Sequence, residues 1–305
     1  MSVYQSHYSV MKDECLAFLT KDYSLDIGVF ADLTFGGGGH SLALVKLSKH
    51  YKLYATDQDP DALTNGREII QTVGIENQVT LLDMNFSNFA NYAHQQQLPL
   101  FDGILLDLGV SSHHFDAPER GFSFRFDAPL DMRMDADNTD IPTAATLLAS
   151  LEEEEIANLL WKYGQERFSR QIARNIVEIR EEKPISTTKE LENIVFHSYP
   201  KKMRYGRTHP ATKTFQALRI AVNRELEVLE EVLHSLPELL QRNGRLAIIT
   251  FHSLEDRIVK QSFNFLAKEK KIGKILRKKP IVPSKQELEQ NRRSRSAKLR
   301  VFEKY

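Results

Sequence analysis

The chain of 305 residues contains a single cysteine, Cys15, and lacks any run of apolar residues long enough to cross a bilayer. One cysteine excludes an internal disulfide and a cysteine-rich metal site, and such sparing use is typical of a reducing cytosol. The first seven residues also lack the basic and then apolar order of a secretory signal peptide. These absences predict a cytoplasmic protein.

A net charge of either sign is lacking too, since 41 Lys and Arg residues balance 41 Asp and Glu residues. The balance holds only for the whole chain, because residues 257–305 carry 16 basic and 4 acidic residues, a net +12 that leaves −12 for the rest. The basic residues concentrate in runs at 268–271, 277–279 and 292–295. This asymmetry favours a polyanionic partner such as nucleic acid, although a solvated tail that aids solubility would carry the same pattern.

Glycines are few, 14 in all, yet four of them are consecutive at residues 36–39. An apolar run precedes them and a helical pattern follows, so the segment reads as a strand that turns into a helix. Such a turn opens backbone N–H groups to a ligand, because glycine has no Cβ and adopts positive φ readily. A second predicted strand ends at Asp57, whose carboxylate can accept hydrogen bonds from ribose hydroxyls. Together these features predict a nucleoside-bearing cofactor.

The glycine turn lacks the lysine of a phosphate-binding P-loop, since His40 and Ser41 follow it. Gly36 and Gly38 match the first two positions of the dinucleotide fingerprint, but Ser41 fits the third only loosely. A pyrophosphate ligand is therefore disfavoured, and S-adenosylmethionine, which carries no phosphate, is the preferred cofactor. A nicotinamide-dinucleotide enzyme on a similar sheet remains an alternative, as does a flexible glycine loop with a solvated Asp57.

Strand and helix patterns alternate over the first 110 residues, which predicts a doubly wound, Rossmann-like α/β sheet. The predicted strands of this part lie at 29–34, 53–56, 79–82 and 101–108. The alternation stops at 112–205, where four helical patterns without a strand indicate an inserted helical module.

The alternation of strands and helices resumes after the predicted module. A single long helix is predicted at 212–233, with Pro237 marking its end, and a fifth strand at 245–251. Ser253 is the expected N-cap of the next helix. Polar and apolar residues alternate at 298–303, which is typical of a strand at a sheet edge.

Side chains suited to a cofactor follow the carboxyl ends of the predicted strands, where open α/β sheets bind ligands. They are Gly38, Gly39 and His40 after the first strand, Asp57 after the second, Phe86 after the third and Asp107 after the fourth. Phe86 can pack against an adenine ring. Asp107, or the backbone of residues 109–111, can accept hydrogen bonds from an amine that becomes positive as it gains a methyl group.

The target base would have to be unpaired or turned out of its stack to reach such a pocket. No group of His, Cys and acidic residues has metal-ligand spacing, so the sequence predicts no essential metal. The adjacent His113 and His114 are expected to serve in a loop.

Eight strings of the sequence resemble the MraW (RsmH) family of 16S ribosomal RNA cytosine-N4 methyltransferases. They are HYSV at 7–10, TFGGGGH at 34–40, DGILLDLGVSS at 102–112, ERGFSF at 119–124, PLDMRMD at 129–135, TKTFQALRI at 212–220, ITFHSLEDR at 249–257 and RSAKLR at 295–300. The strings run nearly from end to end and occur in the family's order.

The resemblance implies a class I S-adenosylmethionine-dependent methyltransferase fold. Residues 1–111 and 206–305 would form a discontinuous methyltransferase domain, and 112–205 an inserted helical domain that recognises the substrate. The implied reaction moves a methyl group from S-adenosylmethionine to the N4 amine of a cytosine in 16S rRNA of the small ribosomal subunit, near the decoding centre. A dehydrogenase-type enzyme and a non-catalytic RNA-binding assembly factor remain the alternatives, and the oligomeric state stays open, a dimer included.

The resemblance also implies a set of cofactor contacts, with Asp107 as the candidate catalytic residue. The contacts carried over by position are Gly38, Gly39, His40, Asp57, Phe86, Asp107 and His114. His113 and His114 stand where the family usually has Pro-Gln, so His114 matches in position and not in identity. DNA amine methylation is disfavoured, because residues 107–110 read Asp-Leu-Gly-Val instead of Asp/Asn/Ser-Pro-Pro-aromatic.

Overall fold

The structure is a computed structural model that describes residues 9–206 and 208–305. His7 and Tyr8, which open the first of the family-like strings, lie outside the described residues. The described chain forms two compact units, one built from residues 9–109 and Leu226–Tyr305 and the other from Val110–Glu225. Each unit has a hydrophobic core of its own.

A single mixed sheet with helices on both faces forms the first unit. Its strands among the described residues are β1 (Gly28–Asp32), β2 (Tyr51–Asp57), β3 (Val79–Asp83), β4 (Phe101–Asp107), β5 (Leu240–Thr250), β6 (Gly273–Ile275) and β7 (Lys298–Lys304). Their order across the sheet is β3-β2-β1-β4-β5-β7-β6. The first five strands pair in parallel, and β7 runs antiparallel to both neighbours. The predicted doubly wound α/β sheet is confirmed.

The helices cover the sheet and make up most of the second unit. Those of the first unit are α1 (Lys12–Leu19), α2 (Gly39–Val45), α3 (Pro60–Val73), α4 (Phe89–Gln95), α11 (Glu225–Leu239), whose first residue belongs to the other unit, α12 (Ser253–Lys268) and α13 (Lys285–Gln290). Those of the second unit are α5 (Ser112–Asp116), α6 (Ala144–Ser150), α7 (Glu153–Gly164), α8 (Ser169–Glu182), α9 (Thr188–Ser198) and α10 (Ala211–Val222). None of the helices in the described part of the chain is both long and apolar enough to span a membrane.

Burial on both faces explains why the central strands read as continuous apolar runs. Successive side chains of a strand point to opposite faces, so Leu105 packs in the core on one face while Ile104 and Leu106 pack in the core on the other. Helix α3 begins as predicted, because the Asp59 side chain accepts a hydrogen bond from the Asp61 N–H at 3.2 Å and Pro60 stands at the first helical position.

The parallel strands bring their C-terminal residues to one side of the sheet, which we call the carboxyl edge. Strands β1, β2, β4 and β5 end there at Asp32, Asp57, Asp107 and Thr250. The strand order reverses between β1 and β4, which are neighbours in the sheet and pair with each other. Ligands of open α/β sheets bind at this switch point, so the fold itself marks the region where a site is expected.

The prediction of an edge strand near the end of the chain is wrong. Strand β7 lies between β5 and β6, and its five central residues are buried. Its buried charges are compensated by ion pairs, because Arg300 pairs with Asp256 of α12 at 2.7 Å and Glu303 pairs with Arg245 of β5 at 2.8 Å. The alternation that suggested a solvated face therefore arises from ion-paired side chains.

The predicted single helix at 212–233 is also wrong, since the chain breaks into α10 and α11. Arg224 adopts φ +50° at the break. Asn223 accepts a hydrogen bond from the Met134 N–H and donates one to the Met132 carbonyl, both at 2.8 Å, and these bonds fix the break. Pro237 lies inside α11 instead of ending a helix. The second unit thus reaches Glu225 and includes α10, which lies beyond the boundary near 205 expected from the sequence.

The cap expected at Ser253 lies one residue earlier. His252 is the N-cap of α12, where its Nδ1 accepts a hydrogen bond from the Glu255 N–H at 3.4 Å. Glu255 completes a capping box, because its carboxylate accepts hydrogen bonds from the backbone N–H groups of Phe251 and His252 at 2.7 and 3.2 Å.

The helical unit depends on a close approach between α7 and α10. A Cβ added to Gly164 would lie 2.6 Å from the Lys213 carbonyl oxygen of α10. We expect Gly164→Ala to lower the stability of the protein by about 1–3 kcal/mol, because backbone must move to admit the methyl group. Thermal unfolding measures the effect, with Asn158→Ala on the exposed face of α7 as the matched control. Equal unfolding midpoints for the two variants would contradict the close packing.

Candidate functional site

The glycine turn after β1 is anchored by a buried carboxylate. Asp32 accepts hydrogen bonds from the Ser41 hydroxyl at 2.6 Å and from the Thr34 N–H at 3.2 Å, which closes the turn on both sides. Gly38 adopts φ +74°, and a Cβ there would lie 2.7 Å from the Phe35 ring. Both the conformation and the space therefore require glycine, and the turn presents bare backbone at the carboxyl edge.

The Asp57 carboxylate links the end of β2 to the glycine turn. One of its oxygens accepts the Gly36 N–H at 2.7 Å and the other accepts the Asp59 N–H at 2.9 Å. Burial raises the pKa of Asp57 to about 6, although these hydrogen bonds oppose the shift. The Gln58 N–H is a third backbone donor to this carboxylate, and since a carboxylate offers about four acceptor positions, capacity is left for a ligand hydroxyl.

His40 and Asp107 meet in the interior of the carboxyl edge. The Thr34 hydroxyl accepts a hydrogen bond from the Asp107 N–H at 2.7 Å and fixes the end of β4 beside the turn. His40 Nε2 lies 3.5 Å from Asp107 Oδ2, a distance that is long for a hydrogen bond. Neither ring nitrogen of His40 nor Asp107 Oδ1 makes a hydrogen bond within the described part of the chain, although all three atoms are buried. Buried polar atoms left in this state indicate a place for a polar ligand.

Burial and charge act in opposite directions on the buried groups of this edge. Burial lowers the pKa of His40, but the carboxylates of Asp107 and Asp32 outweigh burial and raise it above the usual value. Burial likewise raises the pKa of Asp32, which the His40 ring and the Ser41 hydroxyl partly offset. The edge thus concentrates negative charge around one imidazole, an arrangement that favours a cationic ligand over an anionic one.

Phe86 follows β3 at the same edge, as the sequence predicted from its position after that strand. It begins a 3₁₀ turn, Phe86–Asn88, in which the Asn85 side chain accepts a hydrogen bond from the Ser87 N–H at 2.9 Å. The Asn85 amide donates to Gln58 Oε1 at 2.6 Å and so ties this turn to the residue after β2. The half-buried Phe86 ring packs against the hydrophobic core below it. Its role in holding an adenine ring remains a prediction.

His114 belongs to the helical unit, in α5. Its Nδ1 lies 3.0 Å from the Ser111 hydroxyl, and it accepts a hydrogen bond from the Ser111 N–H at 3.1 Å. Its ring packs against Phe122 with 4.7 Å between the ring centroids. His113 and His114 are both buried and lie inside the short helix α5, which begins at Ser112, so the expected loop role is replaced by a helical one. The cofactor contact at His114 remains a prediction.

Reasoning from the sequence missed three residues that organise the site. Asp32 and Thr34 hold the glycine turn and the end of β4, and Glu287 of α13 is buried with its carboxylate accepting the Met11 N–H at 2.8 Å. The anchoring role of Asp32 could have been predicted from the sequence, because this residue ends an apolar strand directly before the turn. Nothing in the sequence indicates that Glu287 packs beside the first helix, 276 residues away along the chain.

Comparison with known proteins identifies the family. The model of the MraW methylase family matches residues 4–305. Ribosomal RNA small subunit methyltransferase H of Picosynechococcus sp. is 48% identical over 297 residues, which cover 97% of this chain and 96% of that protein. The protein of the same name from Magnetococcus marinus is 43% identical over 316 residues, covering 98% of each chain.

Among solved structures, the chain is similar to an rRNA methylase from Streptococcus thermophilus, with a TM-score of 0.44 and 13% identity over 95% of this chain and 93% of that one. The family assignment rests on the sequence matches, which extend over nearly the whole chain at more than 40% identity. This chain belongs to the MraW methylase family.

Proposed function

We propose that this protein transfers the methyl group of S-adenosylmethionine to the exocyclic N4 amine of a cytosine in 16S rRNA of the small ribosomal subunit, in the region of the decoding centre. Its family membership and the names of its relatives support an rRNA substrate. The observation that carries the choice of donor is the glycine turn tied to Asp57 beside the buried His40 and Asp107, three of whose polar atoms make no hydrogen bond with any residue that the structure describes.

The charges of the carboxyl edge fit a sulfonium donor. Asp32, Asp57 and Asp107 end three neighbouring strands, and residues 32–41 contain no lysine or arginine. A pyrophosphate would face these carboxylates, and the turn itself offers no cation to compensate them, whereas a sulfonium and an ammonium group are attracted to them. When bound, S-adenosylmethionine supplies a methyl group on a positively charged sulfur, which is a good leaving group for transfer to a neutral amine.

Each side chain of the edge has a separate task in this proposal. Asp57 accepts hydrogen bonds from the ribose hydroxyls, and Phe86 packs against the adenine ring. Gly38, Gly39 and His40 hold the methionine part, where the bare backbone lets the donor approach. We assign the contact of His114 to the same cofactor on its position in the family string alone.

Asp107 has the central role in the reaction itself. The lone pair of a cytosine N4 amine is delocalised into the ring, so the amine is a weak nucleophile. A carboxylate that accepts a hydrogen bond from this amine favours the build-up of positive charge on nitrogen as the new C–N bond forms. Asp107 Oδ1, which makes no hydrogen bond with any described residue, is the acceptor that we assign to this task.

The helical unit is proposed to recognise the RNA substrate. Its exposed surface includes Tyr205, which is 87% exposed, and the exposed Lys201 and Lys202 just before it in the sequence. Exposed aromatic rings next to cations suit unpaired RNA, because bases stack on the rings while the cations contact phosphates. The target cytosine must leave its stack to reach a site at strand ends.

Methyl transfer to RNA tests the proposal directly. Purified protein is incubated with methyl-labelled S-adenosylmethionine and either 16S rRNA or small subunits from cells that lack the protein, and nucleosides are then identified by mass spectrometry. The expected product is N4-methylcytidine at a single position. S-adenosylhomocysteine should raise the unfolding temperature, and NAD should leave it unchanged. Binding of RNA without any transfer would favour the non-catalytic assembly factor, and stabilisation by NAD alone would favour the dinucleotide enzyme.

A further inference from the structure

The antiparallel pairing of β7 brings one of the three basic runs to the carboxyl edge. Lys298, the first residue of β7, pairs with Thr250, the last residue of β5. The segment directly before β7 therefore emerges at the edge where β1, β2 and β4 end. This segment is a 3₁₀ turn, Arg292–Ser296, and it exposes Arg292, Arg293 and Arg295, which we call the edge arginines.

The same pairing sends another basic run to the opposite end of the sheet. Gly273, the first residue of β6, pairs with Lys304, the last residue of β7. Residues Lys268, Lys270 and Lys271 come directly before β6 and are exposed; we call them the far lysines. Strand β7 has seven residues. At about 3.3 Å per residue it separates the two clusters by roughly 20 Å, more than twice the screening length of about 8 Å at physiological salt.

The turn that carries the edge arginines is held in place by buried contacts. Ser294 is fully buried and donates a hydrogen bond to the Asn291 carbonyl at 2.7 Å, while the Asn291 side chain accepts one from the Arg293 N–H at 3.1 Å. Just before it, α13 is fixed by Glu287, whose buried carboxylate accepts the Met11 N–H at 2.8 Å. A backbone fixed in this way reduces the entropy that is lost when the arginines bind a ligand.

Electrostatics connect this segment with the site. Burial raises the pKa of Glu287, and the charges of His40 and Asp107 act on the same carboxyl in opposite directions. The helix before the edge arginines therefore lies within electrostatic reach of the two side chains at the centre of the site.

We propose that the edge arginines bind backbone phosphates of the RNA next to the target nucleotide, and that the far lysines take no part in this contact. The inference rests on the proposed function and deepens it, because it names the surface that holds the strand beside the site. Phosphates brought to this edge would otherwise face the carboxylates of Asp57 and Asp107, so cations at its rim are needed. Arginine suits the task because its planar guanidinium binds phosphate oxygens in pairs.

Two variants with equal loss of charge test the inference. One replaces Arg292, Arg293 and Arg295 with Gln, and the matched control replaces Lys268, Lys270 and Lys271 with Gln. Affinity for small subunits from cells that lack the protein is measured by filter binding across a range of salt concentrations. Affinity for S-adenosylhomocysteine is measured by calorimetry, and both variants should retain it.

The edge variant should bind small subunits about tenfold more weakly or worse, and its plot of log affinity against log salt should flatten by about 2, since each phosphate contact with a single strand contributes about 0.7. The far-lysine variant should resemble the wild type. A third variant, with Lys at all three edge positions, keeps the positive charge and should bind with a large part of the wild-type affinity. This variant still tests the inference if the Gln variant folds poorly.

Equal losses in the two Gln variants, or a loss confined to the far lysines, would overturn the inference and leave only diffuse attraction by the basic segment. A lysine variant as weak as the Gln variant would also overturn it. Failure of the proposed function has a different signature, since the wild type itself would then transfer no methyl group to RNA.

Discussion

Asp107→Ala is expected to lower kcat for methyl transfer to RNA by about 100-fold or more. The substitution removes the acceptor that we assign to the reacting amine. It leaves the hydrogen bond from the residue 107 N–H to Thr34 in place, because that bond uses backbone. Single-turnover methylation of small subunits measures the rate, and calorimetry with S-adenosylhomocysteine reports any separate loss of cofactor affinity.

Asp83→Ala is the matched control for this prediction. Asp83 also ends a parallel strand, β3, yet its side chain is exposed. Its removal should leave the methylation rate close to that of the wild type. Asp107→Asn keeps an acceptor oxygen without the charge and should fall between the alanine variant and the wild type. A wild-type rate in Asp107→Ala would eliminate Asp107 as the acceptor and leave the backbone of residues 109–111 as the alternative.

Asp57→Ala is expected to weaken binding of S-adenosylhomocysteine by about 100-fold or more, because hydrogen bonds to a charged acceptor contribute about 1.5–3 kcal/mol each. Two effects add in this variant. The ribose loses its acceptor, and the Gly36 N–H loses the partner that ties the glycine turn to β2. Asp61→Ala, on the exposed first turn of α3, is the matched control and should bind like the wild type. Unchanged affinity in Asp57→Ala would contradict the assigned ribose contact.

The same carboxyl gives a pH dependence with a defined sign. Burial raises the pKa of Asp57 from 3.8 to about 6, so the free folded protein holds this proton more tightly than the unfolded chain does. Asp57 therefore favours folding most when it is protonated, and this contribution is lost as the pH rises from about 4 to about 6. Ribose hydroxyls favour the charged form, so cofactor affinity should fall as the pH drops through about 6.

The pKa of His40 is also shifted, because the carboxylates of Asp107 and Asp32 outweigh burial and raise it above 6.5, and Asp57→Asn separates the two contributions. The asparagine variant should lose the part of the pH dependence that comes from Asp57 and keep the part that comes from His40. Calorimetric titrations with S-adenosylhomocysteine between about pH 5 and pH 8 measure both contributions. An identical pH profile in the variant and the wild type would contradict the assignment to Asp57.

The features that the sequence predicted well are those encoded by neighbouring residues. The turn at 36–39, the Asp59 cap of α3 and the strand that ends at Asp107 each depend on residues a few positions apart, and all three are present in the structure. Their convergence at one edge also follows from sequence, because parallel strands share the direction of their carboxyl ends.

The features that escaped prediction depend on contacts between distant parts of the chain. The break between α10 and α11 is fixed by two hydrogen bonds of Asn223, which accepts one from the Met134 N–H and donates one to the Met132 carbonyl, 89 and 91 positions away. The inner position of β7 could not be predicted, because the partner that compensates the buried charge of Arg300 is Asp256, which lies 44 positions away along the chain. The basic runs at 268–271 and 292–295 look equivalent in sequence, and only the register of β6 and β7 separates them to opposite ends of the sheet.

The inner position of β7 also constrains how the protein is made. A ribosome delivers β5 and β6 before β7, yet β6 has β7 as its partner in the sheet, and one side of β5 is covered by β7 alone. Until residues 298–304 leave the exit tunnel, β6 has no strand to join among those that the structure describes, and β5 presents a row of unpaired backbone N–H and C=O groups to other nascent chains. The sheet is therefore completed by a strand that follows both of its neighbours along the chain.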